Sequence, residues 1–207
     1  MQWIDQNTWP RDEHFALFSG VSNPFYSTTF RVDVTNLYEY TKARGISFYY
    51  SLTYLVSHAI NQVENFRYVL EEGKVGLLER RIPSFTDMKK GSDLFHIVTM
   101  ACEGTMEEFC RAAKEKSMAQ VGLLDQSAET NQLIYISCLP WMDLTGCTNE
   151  RDLDPDDTIP RITWGKFVSD GERKTLGMSV EVNHRLVDGI HIGKFYQNLQ
   201  KAIDQLH

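Results

Sequence analysis

Leu176-Gly177-Met178-Ser179-Val180-Glu181-Val182-Asn183-His184-Arg185-Leu186-Val187-Asp188-Gly189 is the stretch whose reading decides the fold. Leu176, Met178, Val180 and Val182 alternate with polar or small residues, the period of a half-buried strand. Beyond it, Ile192, Phe195, Tyr196, Leu199, Ala202, Ile203 and Leu206 recur at helical spacing. The junction carries an imidazole, a carboxylate and a glycine close together. A strand end is a rigid mount for a reactive group, and a turn gives that group access to a cavity.

Working outward, Ile162 to Val168 and Lys174 to Val182 read as a hairpin across Asp170-Gly171. Leu133 to Cys138 reads as a strand that Leu139-Pro140-Trp141 stops, and Asp143 to Pro160 as an acidic, solvated loop. Pro83 to Met88 and Leu94 to Cys102 read as strands joined at Lys89-Lys90-Gly91, and Leu70 to Leu78 as a hairpin around Glu72-Gly73. Tyr26 to Val34 is another expected strand. Expected helices run over Arg11 to Phe18, from Thr35 to about Arg44, from Ser47 through the stripe Phe48, Leu52, Leu55, Val56, Ala59, Ile60 and Val63, and from the capping-box sequence Thr105-Met106-Glu107-Glu108 to about Met118. Strands and helices alternate without repeats or linker tracts, which predicts one α/β domain over residues 1–207.

Composition sets further limits. Of 207 residues, 42% are hydrophobic, enough for a substantial core. The formal net charge of -7 argues against nucleic acid or an anionic membrane as the main partner. Cys102, Cys110, Cys138 and Cys147 form no C-x-x-C pair and read as free thiols of a reducing compartment. With no apolar run of membrane-spanning length and no leader pattern at Met1-Gln2-Trp3, a cytoplasmic protein is expected.

His184 is the leading candidate for chemistry, because imidazole moves protons near neutral pH. A histidine at a strand end can equally be a structural hydrogen-bonder, and Asp188 can simply cap the following helix. His184 and His191 lack a third ligand at a recognised spacing, so no metal site is expected. Asp152, Asp154, Asp156 and Asp157 lack the glycine and final glutamate of a calcium loop. There is neither a phosphate-cradling glycine loop nor a G-x-S-x-G elbow, and no local signature marks Cys138 as a nucleophile. A covalent mechanism thus has no obvious candidate, and His184 as a general base is the leading option.

Separated stretches, in order along the chain, resemble chloramphenicol acetyltransferases, the trimeric acetyl-CoA-dependent resistance enzymes. They are Trp9-Pro10-Arg11-Asp12-Glu13-His14-Phe15, Ser47-Phe48-Tyr49-Tyr50, Ile136-Ser137-Cys138-Leu139-Pro140-Trp141, Ile162-Thr163-Trp164-Gly165-Lys166-Phe167, and Asn183 to Gly193. The resemblance implies an α/β fold, a single-domain CoA-dependent acyltransferase-like sandwich with a mixed sheet packed against helices. It implies acetyl-CoA as co-substrate, a small-molecule hydroxyl acceptor, and a homotrimer with active sites at subunit interfaces. His184 then stands where the family has its general base, Ser137 where a serine meets the tetrahedral oxyanion, and Thr163 where a threonine holds that intermediate through water. Asp188 and Arg11 stand where the family has a buried ion pair, whose rupture costs about 3–5 kcal/mol. Leu17, Phe18 and Tyr26 fit the wall of an acceptor pocket, and Lys166 matches a lysine near the cofactor.

Departures accompany the match. Asn183 replaces the first histidine of the family's pair and makes the motif similar also to the D-H-R-x-x-D-G of dihydrolipoamide acyltransferases. Ser47 replaces a second lysine near the cofactor. Ser22, Pro24, Met88, Cys147 and Asn149 fall near pocket positions that are usually aromatic or larger and apolar, and a more polar pocket weakens an aryl acceptor. An acyltransferase for another hydroxyl or thiol metabolite, and a non-catalytic trimeric binding protein, are the competing readings.

Overall fold

The computed structural model describes residues 1–152 and 154–207. In chain order its elements are β1 (Gln2–Trp3), α1 (Asp12–Ser19), β2 (Phe25–Asp33), α2 (Thr35–Arg44), α3 (Phe48–Asn61), β3 (Tyr68–Glu71), β4 (Lys74–Leu77), β5 (Ile82–Met88), β6 (Phe95–Thr99), α4 (Met106–Ala119), β7 (Leu133–Leu139), β8 (Arg161–Gly165), β9 (Val168–Asp170), β10 (Arg173–Asn183) and α5 (Gly189–Asp204). The large sheet runs β2-β10-β8-β7-β5-β6, with β9 paired to the start of β10, and β1-β4-β3 form a small sheet. The β5–β7 and β7–β8 pairs are parallel and the other pairs antiparallel. The fold is therefore mixed α/β, as the resemblance implies.

Local chemistry sets the helix boundaries. Ser47 caps α3, its hydroxyl accepting from the Tyr50 N–H, and Gly45 closes α2 at a φ of 64°. Thr105 and Glu108 form the expected reciprocal box at the start of α4. α3 packs against α2, α4 and α5, and the helical layer covers one face of the large sheet. Val180, Ile162, Ile136 and Phe85, on β10, β8, β7 and β5, put their side chains into that core. Among the described residues, no helix is long and apolar enough to cross a membrane.

Two sequence expectations are corrected. The strand expected over Ile162 to Val168 is two strands, broken at Lys166-Phe167, where the Lys166 N–H donates to the Met142 carbonyl at 2.7 Å. The chain over 142–144 presses onto the sheet there. A Cβ on Gly177 would stand 1.8 Å from the Leu144 carbonyl oxygen, and one on Gly165 2.6 Å from the Leu144 nitrogen, so only glycine fits either position. The 143–160 loop is likewise no solvated excursion. Asp157 accepts from Arg161 at 2.9 Å and Asp156 from Arg185 at 3.1 Å, so half of the acidic cluster is spent on arginines.

That loop explains why β10 is buried on both faces. Its inner side chains, Met178, Val180 and Val182, lie in the core. Its outer ones, Ser179, Glu181 and Asn183, each grip the loop: Ser179 donates to the Cys147 carbonyl at 2.9 Å, Glu181 accepts from the Asn149 N–H at 2.9 Å, and Asn183 donates to the Pro155 carbonyl at 2.9 Å.

Candidate active site

His184 sits one residue beyond the end of β10, and both of its main-chain polar groups are held. Its N–H donates to the Pro24 carbonyl at 2.8 Å, and its carbonyl accepts from Arg11 Nη2 at 2.8 Å. The imidazole stacks on Phe18, centroids 3.8 Å apart and planes 22° apart, and meets Tyr26 at 4.4 Å. Its side chain is one-third exposed. Burial lowers its pKa and the Arg11 charge adds to this, while Asp188, with Oδ1 3.5 Å from Nε2, pulls the other way. The net direction is downward, which favours the uncharged ring.

Arg11 precedes α1 and closes a clamp on the turn. Its guanidinium pairs with both oxygens of Asp188, Nη2 to Oδ1 at 2.6 Å, and its Nε donates to the Arg185 carbonyl at 2.8 Å. These bonds hold the Asp188 carboxyl below its usual range. The Asp188 N–H donates to His191 Nδ1 at 2.8 Å, closing a capping box at the start of α5. Asp188 thus stands at the N-cap of α5 while its carboxylate is paired with Arg11. Burial, with help from Asp188, pushes the Tyr26 phenol up to about 12. Of the pocket residues expected from sequence, Phe18 and Tyr26 are on the imidazole, whereas Leu17 stays on the exposed side of α1 at 67%.

Ser137 and Thr163 lie elsewhere. They are register partners on β7 and β8, in a row that continues through Ser179 to Thr29 on the sheet face away from the helices. Ser137 Oγ accepts from Thr86 Oγ1 at 3.4 Å and opens into a cavity of about 880 Å³ walled by Met88, Phe95, Ile97, Leu139 and Asn149. Thr163 is 2% exposed and donates to Asn149 Oδ1 at 3.0 Å. His184 is not among the described residues lining this cavity. Lys166 is exposed at the β8–β9 break, and Ser47 is committed to its helix cap.

One chain therefore presents two separate constellations: a fixed, neutral imidazole able to take a proton, and a serine hydroxyl in a roomy cleft able to donate to an oxyanion. Sequence reasoning did not find the loop's polar anchors, Arg151 with Glu181 at 2.8 Å and Asn183 with residues 155–157. A signal existed in Glu181, a charged residue in the middle of an alternating strand that needs a buried cation.

Relatives carry the same architecture. A solved chloramphenicol acetyltransferase superposes with a TM-score of 0.89 at 24% identity, covering 98% of this chain and 99% of its own. The dihydrolipoamide acetyltransferase of Azotobacter vinelandii shares the fold at a TM-score of 0.70 and 15% identity, over 93% of this chain and 86% of its own. In sequence, chloramphenicol acetyltransferase 2 of Escherichia coli is 31% identical over 98% of this chain and 97% of its own length. Chloramphenicol acetyltransferase 2 of Haemophilus influenzae is 29% identical over the same shares. The family model described as chloramphenicol acetyltransferase matches residues 1–200. With the fold, the sequence relatives and the family model in agreement over nearly its whole length, this chain is an acyltransferase that belongs to the chloramphenicol acetyltransferase family.

Proposed function

We propose that this acetyltransferase carries the acetyl group of acetyl-CoA to a hydroxyl of chloramphenicol, with His184 as general base, and that residues 1–207 act as one domain. The observation that carries the reading is the His184 constellation: a neutral imidazole on a main chain fixed by Pro24 and Arg11, with its ring braced by Phe18 and Tyr26. The imidazole takes the proton of the acceptor hydroxyl as its oxygen attacks the thioester carbonyl. Ser137 donates to the oxyanion that forms there. Collapse breaks the carbon–sulfur bond, and the imidazolium returns its proton to the leaving thiolate. No covalent enzyme intermediate is needed, in keeping with the absence of a nucleophile motif.

The separation of His184 from the Ser137 cavity supports a site completed between copies of the chain, one supplying the base and the next the oxyanion donor and the acceptor wall. The apolar wall of Met88, Phe95, Ile97 and Leu139 suits an aryl acceptor or a thioester arm, and Lys166 is an exposed cation that a CoA phosphate could meet. Asn149 and Arg151 on the same wall favour a second reading, a more polar hydroxyl acceptor.

Release of free CoA thiol from acetyl-CoA tests both. Chloramphenicol should support release, and His184→Ala should lower kcat by about 10²–10⁴-fold, the range for loss of a general base. Release with another alcohol but not with chloramphenicol would move the reading to the polar acceptor. Full activity in His184→Ala would remove the general-base assignment.

A further inference from the structure

Asn183 is the residue at which this chain departs from its family's paired histidines, and its side chain has every polar atom engaged. It is 3% exposed. Its Nδ2 donates to two carbonyls, Pro155 at 2.9 Å and Asp157 at 3.0 Å. Its Oδ1 accepts from the Arg185 N–H at 3.1 Å and from Arg185 Nε at 3.3 Å. The Arg185 guanidinium in turn gives two bonds of 3.1 Å to Asp156 Oδ1. Residues 155, 156 and 157 are thus all held by the two residues that bracket His184.

The same segment reaches the cavity. The Asp157 carboxylate accepts from Arg161 at 2.9 Å and lies 3.3 Å from Arg151 Nη1, and both arginines line the cleft that contains Ser137. Arg11 holds the His184 turn from the α1 side, and Asn183 holds it from the loop side.

We propose that Asn183 is a positioning residue for acetyl transfer, latching the His184 turn to the 155–157 segment of the loop that walls the Ser137 cavity. The inference rests on His184 as the base. The latch touches neither acceptor nor thioester; it sets where the imidazole stands. A misplacement of about 1 Å in such a group costs about a hundredfold in rate. Where one copy's imidazole serves a neighbour's cavity, the latch also joins the two half-sites that a single chain contributes.

The test compares wild type, Asn183→Ala, Asn183→His and Asp156→Asn, assayed by thiol release with chloramphenicol and acetyl-CoA and normalised to folded protein. Asn183→Ala should lower kcat about tenfold to a hundredfold while the KM for acetyl-CoA stays within about twofold, the pattern of a lost transition-state interaction. Asn183→His, which keeps a ring N–H donor, should fall between Asn183→Ala and wild type. Asp156→Asn should lower kcat by about twofold to fivefold, and its effect should largely vanish in the Asn183→Ala background, because members of one network do not act additively. Wild-type kcat in folded Asn183→Ala, with only Tm reduced, would overturn the proposal. Should Asn183→Ala fail to fold, Asp156→Asn decides alone, and an unchanged kcat there overturns it. The His184 imidazole resonances of the free protein give a readout without any acceptor: they and their titration should move in Asn183→Ala, and identity with wild type counts against the latch. His184→Ala, run alongside, separates the two ideas, since full activity there removes the general base and leaves the latch to the resonance measurement.

Discussion

The two faces of β10 are both buried, and they are buried by opposite means. The inner face carries Met178, Val180 and Val182 into a continuous apolar core, where shape and area do the work. The outer face carries Ser179, Glu181 and Asn183 under a loop of no regular structure, where each side chain answers a specific donor or acceptor. An apolar face tolerates an exchange of similar volume. A polar buried face is unforgiving, because one missing partner leaves the other desolvated and unpaired. The imidazole proposed as the general base stands where these two faces end, at His184. The inner face supplies rigidity, and the outer face supplies register with the loop.

Breaking the outer face at its charged centre should have the largest effect. Glu181 and Arg151 are 6% and 5% exposed at their side chains, so Glu181→Leu takes the hydrogen-bonded carboxylate from a buried guanidinium, leaving it Asp157 at 3.3 Å, and should cost about 3 kcal/mol in denaturant unfolding, the low end for a broken buried pair. Adding Arg151→Leu should recover most of that loss. If the double variant is no more stable than the single, the outer face is held by packing and the contrast with the inner face fails. Crowding the strand between its faces comes next. Gly177→Ala drives a methyl into the Leu144 carbonyl and should cost at least the ~1–3 kcal/mol of an overpacked interior, with the lost protection confined to the 142–144 segment in hydrogen exchange. By comparison, Ile162→Val on the inner face, which only trims a methyl beside Val180, should cost about 0.5–1.5 kcal/mol.

The same contrast explains what could be read in the sequence. The inner face announces itself through the alternation of Leu176, Met178, Val180 and Val182, and α3 through the spacing of Leu52, Leu55, Val56 and Ala59. Gly45, Ser47 and the Thr105–Glu108 box mark helix ends by local chemistry that needs no tertiary context. The outer face has no such period on its partner side. Cys147, Asn149, Arg151 and Pro155 sit in a loop whose order comes from the strands beneath it, β8 and β10, so its carboxylates looked solvated. The break between β8 and β9 was hidden for the same reason: Gly165 and Gly177 admit the 142–144 chain from a distant part of the sequence. Of the site, the resemblance pointed to Arg11 and Asp188 as an ion pair and to Phe18 and Tyr26 as acceptor wall, and the fold gathers all four around His184. Leu17 is one helical position off that cluster and stays in solvent. Thr163 spends its hydroxyl on Asn149, a partner that spacing alone could not supply.

A smaller effect should distinguish the turn itself from both faces. Burial depresses the imidazoles of His184 and His191, and the Arg11 bonds depress the Asp188 carboxyl. A group whose folded pKa lies below its unfolded value adds stability that is complete above the unfolded value and is lost as pH falls through the folded one. For the two histidines that window opens below the free imidazole value of about 6.5, and for Asp188 it lies lower still, below the usual carboxylate range. His191 has an added reason to resist protonation, because Nδ1 must keep its lone pair to accept the Asp188 N–H. Tm should therefore hold steady through neutral pH and decline on acidification. His191→Gln, which cannot titrate, should lower Tm at neutral pH yet flatten the first part of that decline. The acid limb of kcat/KM should lie below the free imidazole value and persist in His191→Gln, because the proposed base is His184. A first decline in Tm as steep in His191→Gln as in wild type would place the acid sensitivity outside the Asp188 cap.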